Sequence, residues 1–268
     1  MDGDLVSEAS RAVRPPSFPA GGGLRVSVGL ASPEAVVEAV ARRLAQGRGF
    51  ALATLNLDHL VKLRRLPAFR RAYSRMDLVT ADGRPVVWLS RLAGRQVALA
   101  PGSELVEPLC ALAARRRAPV ALYGSDAPTL ERAAARLKAS HPGLEVALAL
   151  APPQGFDPEG EAAAADAERV AASGARLCFL ALGAPKQEIF AVRARELAPA
   201  CGFLCVGAGL DFLGGAQRRA PPWMRRLALE WLWRLAGAPR RLGGRYLACA
   251  ALLPALALDA LRHRANRR

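Results

Sequence analysis

Lysine is nearly missing from this chain: only Lys62, Lys138 and Lys186 occur in 268 residues, although Lys and Arg together number 38 against 23 acidic side chains. The formal charge of +15 is therefore almost all guanidinium, a planar fork that pairs bidentately with phosphate and carboxylate. Paired cysteine spacings are missing as well. Cys110, Cys178, Cys201, Cys205 and Cys249 are odd in number, sit in apolar contexts and form no C-x-x-C. That argues against a disulfide framework or zinc ribbon and fits reduced, buried thiols in a cytosolic protein. H-E-x-x-H is absent, and the one D-x-D triplet, Asp2-Gly3-Asp4, lies in the N-terminal leader. A metal-bridged diphosphate is not expected, and neither a metal nor a cofactor is assigned. No G-x-x-x-x-G-K-[ST] phosphate loop occurs. Gly207-Ala208-Gly209 begins a dinucleotide fingerprint, but Phe212 stands where its third glycine belongs, which disfavours a nicotinamide site. No apolar run reaches the ~20 residues of a spanning helix. Tyr246–Leu258 is apolar for thirteen positions and then meets Asp259, a segment better suited to lying on a membrane than to crossing one.

What is present is alternation. From Leu24 onward, short apolar runs alternate with longer Ala/Arg/Glu segments of helical period, the pattern of repeated β-α units and an α/β fold with a Rossmann-like, mostly parallel sheet. Strands are predicted near Leu24–Leu30, Phe50–Thr54, Leu78–Thr80, Val120–Tyr123, Glu145–Ala149, Leu177–Leu182 and Phe203–Val206. Ser32-Pro33-Glu34 and Asp126-Ala127-Pro128 read as helix starts with a cap and an early proline. Ala162–Ala172 reads as a helix that Ser173-Gly174 ends. Residues 1–23, with Pro15, Pro16, Pro19 and the Gly21–Gly23 run, read as a flexible leader. Residues 24–215 form the α/β domain, with a soft division around Arg115–Pro119, and residues 216–268 form a basic appendage.

Ligands in such sheets bind outside the carboxyl ends of strands, and the polar loops follow the predicted strands. Asp82 stands between a strand and an apolar helix from Pro85 to Leu92. It is either the carboxylate that takes a proton from an attacking hydroxyl or a helix-capping aspartate. Thr54 and Asn56 offer a hydroxyl and an amide for sugar hydroxyls, or a cap for the helix Leu57–Leu66. His59, one turn on, is a second base or a buried structural histidine. Gly183-Ala184-Pro185-Lys186-Gln187-Glu188 puts small residues at a strand end, then a cation at a helix start, an arrangement that brings backbone N–H groups and Lys186 to an anion. Gly207 and Asp211 follow the last strand at the same edge.

The tail concentrates the charge. From Gln217 to Arg268 there are twelve Arg against Glu230 and Asp259, a net +10. Trp223, Trp231 and Trp233 are interleaved with the arginines after a Pro221-Pro222 start, which describes an amphipathic helix suited to anionic lipid headgroups. A surface helix packed back on the core fits the same pattern. Nucleic acid is the less favoured partner, given the Trp-rich apolar face and the apolar run that follows.

Five segments, in order, carry a resemblance to a known family: Thr54-Leu55-Asn56-Leu57-Asp58-His59; Val79-Thr80-Ala81-Asp82-Gly83 with Val86-Val87-Trp88; Pro101-Gly102-Ser103-Glu104-Leu105; Leu182 to Glu188; and Arg219-Ala220-Pro221 through Leu229-Glu230-Trp231-Leu232-Trp233-Arg234-Leu235 to Pro239-Arg240-Arg241. From about Leu24 to Tyr246 the chain resembles the WecG/TagA/CpsF glycosyltransferases, glycosyltransferase family 26. The resemblance implies an inverting, metal-independent enzyme that moves N-acetylmannosamine or a related sugar from UDP to an undecaprenyl-diphosphate-linked saccharide in surface or exopolysaccharide synthesis. It also implies a cytoplasmic, peripheral position on the inner face of the membrane. Asp82 matches the family's proposed base, Thr54, Asn56 and Gln187 match residues of its cleft, and Arg219, Arg226 and Arg234 are candidates for the donor diphosphate. Two departures stand out: Leu99-Ala100-Pro101 lacks an arginine that many members carry before the glycine, and Glu104 replaces a commoner aspartate. The rival readings are a Rossmann-type oxidoreductase and a non-enzymatic basic scaffold.

Overall fold

The computed structural model of the chain describes residues 14–227 and 229–265. Its first two strands, β1 (Ser17–Gly21) and β2 (Leu24–Ser27), form an antiparallel hairpin. There follow α1 (Pro33–Ala45), β3 (Phe50–Leu55), α2 (Leu57–Arg65), α3 (Pro67–Ser74), β4 (Leu78–Ala81), α4 (Arg84–Leu92), α5 (Gly102–Arg116), β5 (Val120–Gly124), α6 (Ala127–Ser140) and β6 (Val146–Leu150). The chain continues through α7 (Glu161–Ala172), β7 (Leu177–Ala181), α8 (Lys186–Leu197), β8 (Gly202–Cys205) and α9 (Gly209–Leu213). It closes with α10 (Pro222–Arg226), α11 (Glu230–Gly237) and α12 (Pro239–Ala265).

Strands β3 to β8 make one parallel six-stranded sheet in the order β4-β3-β8-β7-β5-β6. Successive side chains of a strand point to opposite faces, so a strand covered on both faces reads as an unbroken apolar run. That is the arrangement here. Val120, Leu122, Leu177, Phe179 and Leu204 enter one core cluster with Val36, Leu105, Leu109 and Leu130 of α1, α5 and α6. Ala121, Tyr123, Cys178, Leu180, Phe203 and Cys205 enter the opposite cluster with Val170 and Phe190 of α7 and α8. The expected α/β class and parallel sheet are present. All five cysteines are free and buried. The sheet runs unbroken past Arg115–Pro119: Arg117 turns the chain in the left-handed region at φ 49° and β5 then pairs with β7.

Three expectations need correction. Leu24–Leu30 reads as the first strand of the β-α series, but among the described residues Leu24–Ser27 pairs with β1, in a two-stranded sheet separate from the main one. Residues 14–23 of the expected flexible leader include β1, whose Phe18 and Ala20 are buried; residues 1–13 lie outside the described residues. The Gly21–Gly23 run is the hairpin turn, with φ of 85°, 57° and 76°, a left-handed run that glycine adopts at least cost. Among the described residues the basic tail is three helices rather than one amphipathic helix.

The hairpin, α2, α3, α4 and α12 share a third core cluster, in which Phe18, Leu60, Phe69, Val86, Leu252 and Leu256 are buried together. By length and composition α12 would suffice to cross a bilayer, yet Cys249, Leu252, Leu256 and Ala260 line a buried side of it. Asp259 fixes its far end with two bonds from Arg25, at 3.0 and 2.8 Å. Its other side carries Leu247, Leu258 and Leu261, all exposed, with Leu247 at 74%.

Candidate active site

The carboxyl ends of β3 and β4 lie side by side, with Thr54 paired to Thr80 and Leu55 to Ala81. The Asp82 N–H then donates to the Leu55 carbonyl at 2.8 Å, carrying the ladder one residue past the strand. This places the Asp82 carboxylate over the end of β3. Asn56 caps α2, its Oδ1 accepting the His59 N–H at 2.9 Å, and an amide so held must turn its Nδ2 the other way. Nδ2 donates to Asp82 Oδ2 at 3.2 Å, and Thr54 Oγ1 reaches the same oxygen at 3.5 Å. Of the two readings of Asn56 the cap is realised, and the other end of the same amide holds Asp82.

Asp82 itself is not a helix cap: Gly83 occupies the cap of α4, with φ 100° and no side-chain capping bond. Its carboxylate is left to Asn56 and Thr54. Burial pushes its pKa above the usual aspartate value, opposed by the Asn56 bond and by the Arg234 guanidinium, while Glu230 adds to the rise. A carboxylate so raised holds a proton more readily than a solvated one, which suits a group that must take one from a hydroxyl.

His59 is the structural histidine of its two readings. It is buried, its Nδ1 lies 2.7 Å from the Tyr73 hydroxyl, and burial pushes its pKa down to about 3. The Tyr73 hydroxyl also donates to the Thr54 carbonyl at 3.3 Å. With one hydroxyl proton to give, Tyr73 donates there only if the neutral His59 carries its proton on Nδ1 and donates to Tyr73. Tyr73, which the sequence did not single out, thus supports Thr54 from below.

The second group of expected residues is brought to the same edge in a different manner. Gln187 is only 3% exposed. Its Nε2 donates to Glu188 Oε1 at 2.8 Å and its Oε1 accepts the Gly207 N–H at 3.2 Å, so it straps the β7–α8 loop to the β8–α9 turn. Lys186 Nζ is held by the Phe156 carbonyl at 2.7 Å. Gly183 sits at φ 72° in the loop between them. Asp211 takes Ser125 Oγ at 2.6 Å and Gln217 Nε2 at 2.7 Å, bracing α9 against the β5–α6 turn. Glu188 is fully buried, with Oε2 unpartnered, and burial raises its pKa to about 7.

The appendage reaches the cleft from the rim. Arg219 donates to Ser103 Oγ at 2.8 Å and lies over the Phe212 ring, 5.0 Å from its centroid. Arg225, not the expected Arg226, turns inward: its Nη1 is 3.6 Å from Glu104, and its Nε is buried without a partner. Arg226 is exposed, and its carbonyl, like that of Arg225, accepts from Arg84 Nη2, at 3.3 and 3.2 Å. Arg84 follows Asp82 by two residues, so the start of α4 holds α10 directly. Arg234 pairs with Glu230 at 3.1 Å while its charge bears on Asp82. Ser103 and Glu104 open α5, which Gly102 lets approach closely: a Cβ there would lie 2.7 Å from the Cys205 carbonyl oxygen.

A carboxylate with an amide and a hydroxyl beside it and the charge of Arg234 bearing on it, at the strand ends of a parallel sheet, fits an α/β enzyme of the group-transfer class. The particular family follows from comparison: the chain belongs to the Glycosyl transferase WecG/TagA/CpsF family, which it matches over residues 23–268. It is a glycosyltransferase. A curated relative from Bacillus spizizenii (strain ATCC 23059 / NRRL B-14472 / W23), N-acetylglucosaminyldiphosphoundecaprenol N-acetyl-beta-D-mannosaminyltransferase, is 29% identical over 199 residues, spanning 74% of this chain and 75% of that protein.

Proposed function

We propose that the chain transfers N-acetylmannosamine or a related sugar from a UDP donor to a polyprenyl-diphosphate-linked saccharide, with inversion and with Asp82 as the base. The observation that carries this reading is the Asp82 carboxylate at the strand ends, held by Asn56 and Thr54, with the Arg234 charge bearing on it. The name of the Bacillus relative supports the sugar and the lipid-linked acceptor. Inversion takes a single displacement. The acceptor hydroxyl attacks the anomeric carbon, the bond to the UDP oxygen breaks, and Asp82 takes the hydroxyl proton. One base and a cationic cradle for the leaving diphosphate suffice, so no metal is called on. Arg219, Arg225 and Arg234 supply that cradle, with Arg226 at its outer edge. Gly183, Gly207, Gln187, Lys186 and Asp211 shape the loops on which the donor rests.

The appendage also docks the enzyme peripherally on an anionic membrane on the cytoplasmic side. The support is the exposed Leu247, Leu258, Trp223 and Trp231 beside the arginines, since Trp and Arg together favour the headgroup region. On this reading residues 24–215 carry the base and residues 216–268 both the diphosphate arginines and the docking surface, but α12 supplies Leu252 and Leu256 to the core, so truncation would uncover apolar surface. Docking is better tested by Leu247→Glu with Leu258→Glu. Co-sedimentation with phosphatidylglycerol vesicles should fall with the fold intact; unchanged sedimentation would remove the docking role. The activity is tested by a panel of UDP sugars with a lipid-linked monosaccharide acceptor, reading UDP release. Acceptor-dependent release with one sugar supports the proposal, and none with any sugar overturns it.

A further inference from the structure

Helix α2 meets three parts of the molecule within two turns. At its start Asn56 holds Asp82. Asp58, two residues on, and Lys62, one turn beyond that, meet both the appendage and the β7–α8 loop. Asp58 is 7% exposed, and its Oδ2 lies 2.8 Å from Arg245 Nη2 of α12 and 2.9 Å from Lys62 Nζ. Neither cation approaches that oxygen in hydrogen-bonding geometry, so both contacts are Coulombic and a single oxygen serves two positive charges. Lys62 Nζ makes its well-formed bond elsewhere, to the Ala184 carbonyl at 2.9 Å. Ala184 sits in the loop that Gln187 straps to Gly207. A cavity of about 330 Å³ lined by Asp58, Val61, Lys62, Arg65, Gly244 and Arg245 separates the two helices here, which leaves the cationic side chains room to move.

We infer that Lys62 is a positioning residue for the β7–α8 loop, and that Arg245 governs it by competing for the shared Asp58 oxygen. With α12 seated, Arg245 takes part of the Asp58 charge and Lys62 is free to hold the Ala184 carbonyl. With Arg245 withdrawn, Asp58 has one cation left and draws Lys62 toward itself, which loosens the loop. The seating of the appendage thereby reaches a cleft loop through two side chains, on a route separate from Arg234, whose charge bears on Asp82. The kinetic arm of the test rests on the donor-binding role proposed above for this loop; the exchange arm does not.

The experiment is hydrogen exchange on the full chain, read at the Gln187 amide, which donates to the Gly183 carbonyl, and at the Gly207 amide. Lys62→Met should lower protection at both by about tenfold, the loss of one charged hydrogen bond, and Lys62→Arg should restore it. Arg245→Met, which touches neither loop, should lower protection by roughly two- to fivefold, as for a half-exposed ion pair. In an Asp58→Asn background Arg245→Met should change nothing further, because no carboxylate remains to draw Lys62 away. Unaltered protection in Lys62→Met, or an equal effect of Arg245→Met with and without Asp58, overturns the inference. Should Lys62→Met fail to fold, the Arg245 and Asp58 pair decides alone. With a UDP-sugar donor, Arg245→Met should raise donor KM and leave kcat nearly unchanged. Loss of all turnover in the unaltered enzyme would count against the proposed donor and leave the exchange result standing.

Discussion

Glu188 offers a prediction that needs no substrate. Its side chain is fully buried at the start of α8, with Oε1 bonded by Gln187 and Oε2 without a partner. Burial is the main cause of its rise from 4.5 to about 7, opposed by the Gln187 bond, its own backbone N–H and Lys62, while Asp58 adds to the rise. Tyr73 and Cys205 also face it, and both are themselves pushed up. A carboxyl whose folded pKa is raised adds stability below its unfolded value and loses it as pH rises through the folded one. Between pH 4.5 and pH 7 the wild-type protein should therefore lose up to roughly 3 kcal/mol through this group. Glu188→Gln keeps the volume and the acceptor for Gln187 but cannot ionise, so its stability should be flatter over that window. The assay is urea unfolding of both proteins at pH 5 and pH 8. His59 acts in the opposite direction, because a buried neutral imidazole costs stability as pH falls below 6.5, but it is present in both proteins and cancels in the comparison. Equal pH dependence in the two proteins would refute the claim that Glu188 is buried with an unsatisfied charge.

Asn56→Ala removes the α2 cap and the amide bond to Asp82 together. It should cost about 0.5–2 kcal/mol in urea unfolding. Because that bond lowers the Asp82 pKa, the acid limb of the pH–rate profile should also move to higher pH; a limb that stays put would separate Asn56 from the base. Gly102→Ala pushes a Cβ to 2.7 Å from the Cys205 carbonyl oxygen and 2.8 Å from Val206 Cα. Backbone must shift to admit it, and thermal unfolding should show a loss of about 1–3 kcal/mol; no loss would mean that α5 slides freely over β8.

The sheet was legible because burial on both faces writes its strands as apolar runs with no polar alternation, as in Val120–Gly124 and Leu177–Ala181. Helix starts were legible where chemistry is local. Ser32 accepts from the Ala35 N–H and Asp126 from the Thr129 N–H, as their spacing implied. The hairpin was hidden because the prolines and glycines that turn it also compose a leader, and the partner that anchors Arg25, Asp259, is 234 residues away. Asp82, Asn56 and Thr54 converge as the order of strand-end loops suggested. Tyr73 escaped notice because nothing near it in sequence reveals that its hydroxyl meets Thr54 and His59. Arg225 and Arg226 are neighbours, and which one turns inward depends on the phase of a five-residue helix that packing sets.

The proposed transfer depends above all on Asp82 as the base. Its most direct test is Asp82→Asn assayed with the UDP sugar and lipid-linked acceptor that support turnover, with UDP binding measured on the same protein. The substitution removes a proton acceptor and almost no volume, so turnover should fall by about 10²–10⁴ while UDP binding and the unfolding midpoint stay near those of the wild type. Undiminished turnover by Asp82→Asn would contradict it.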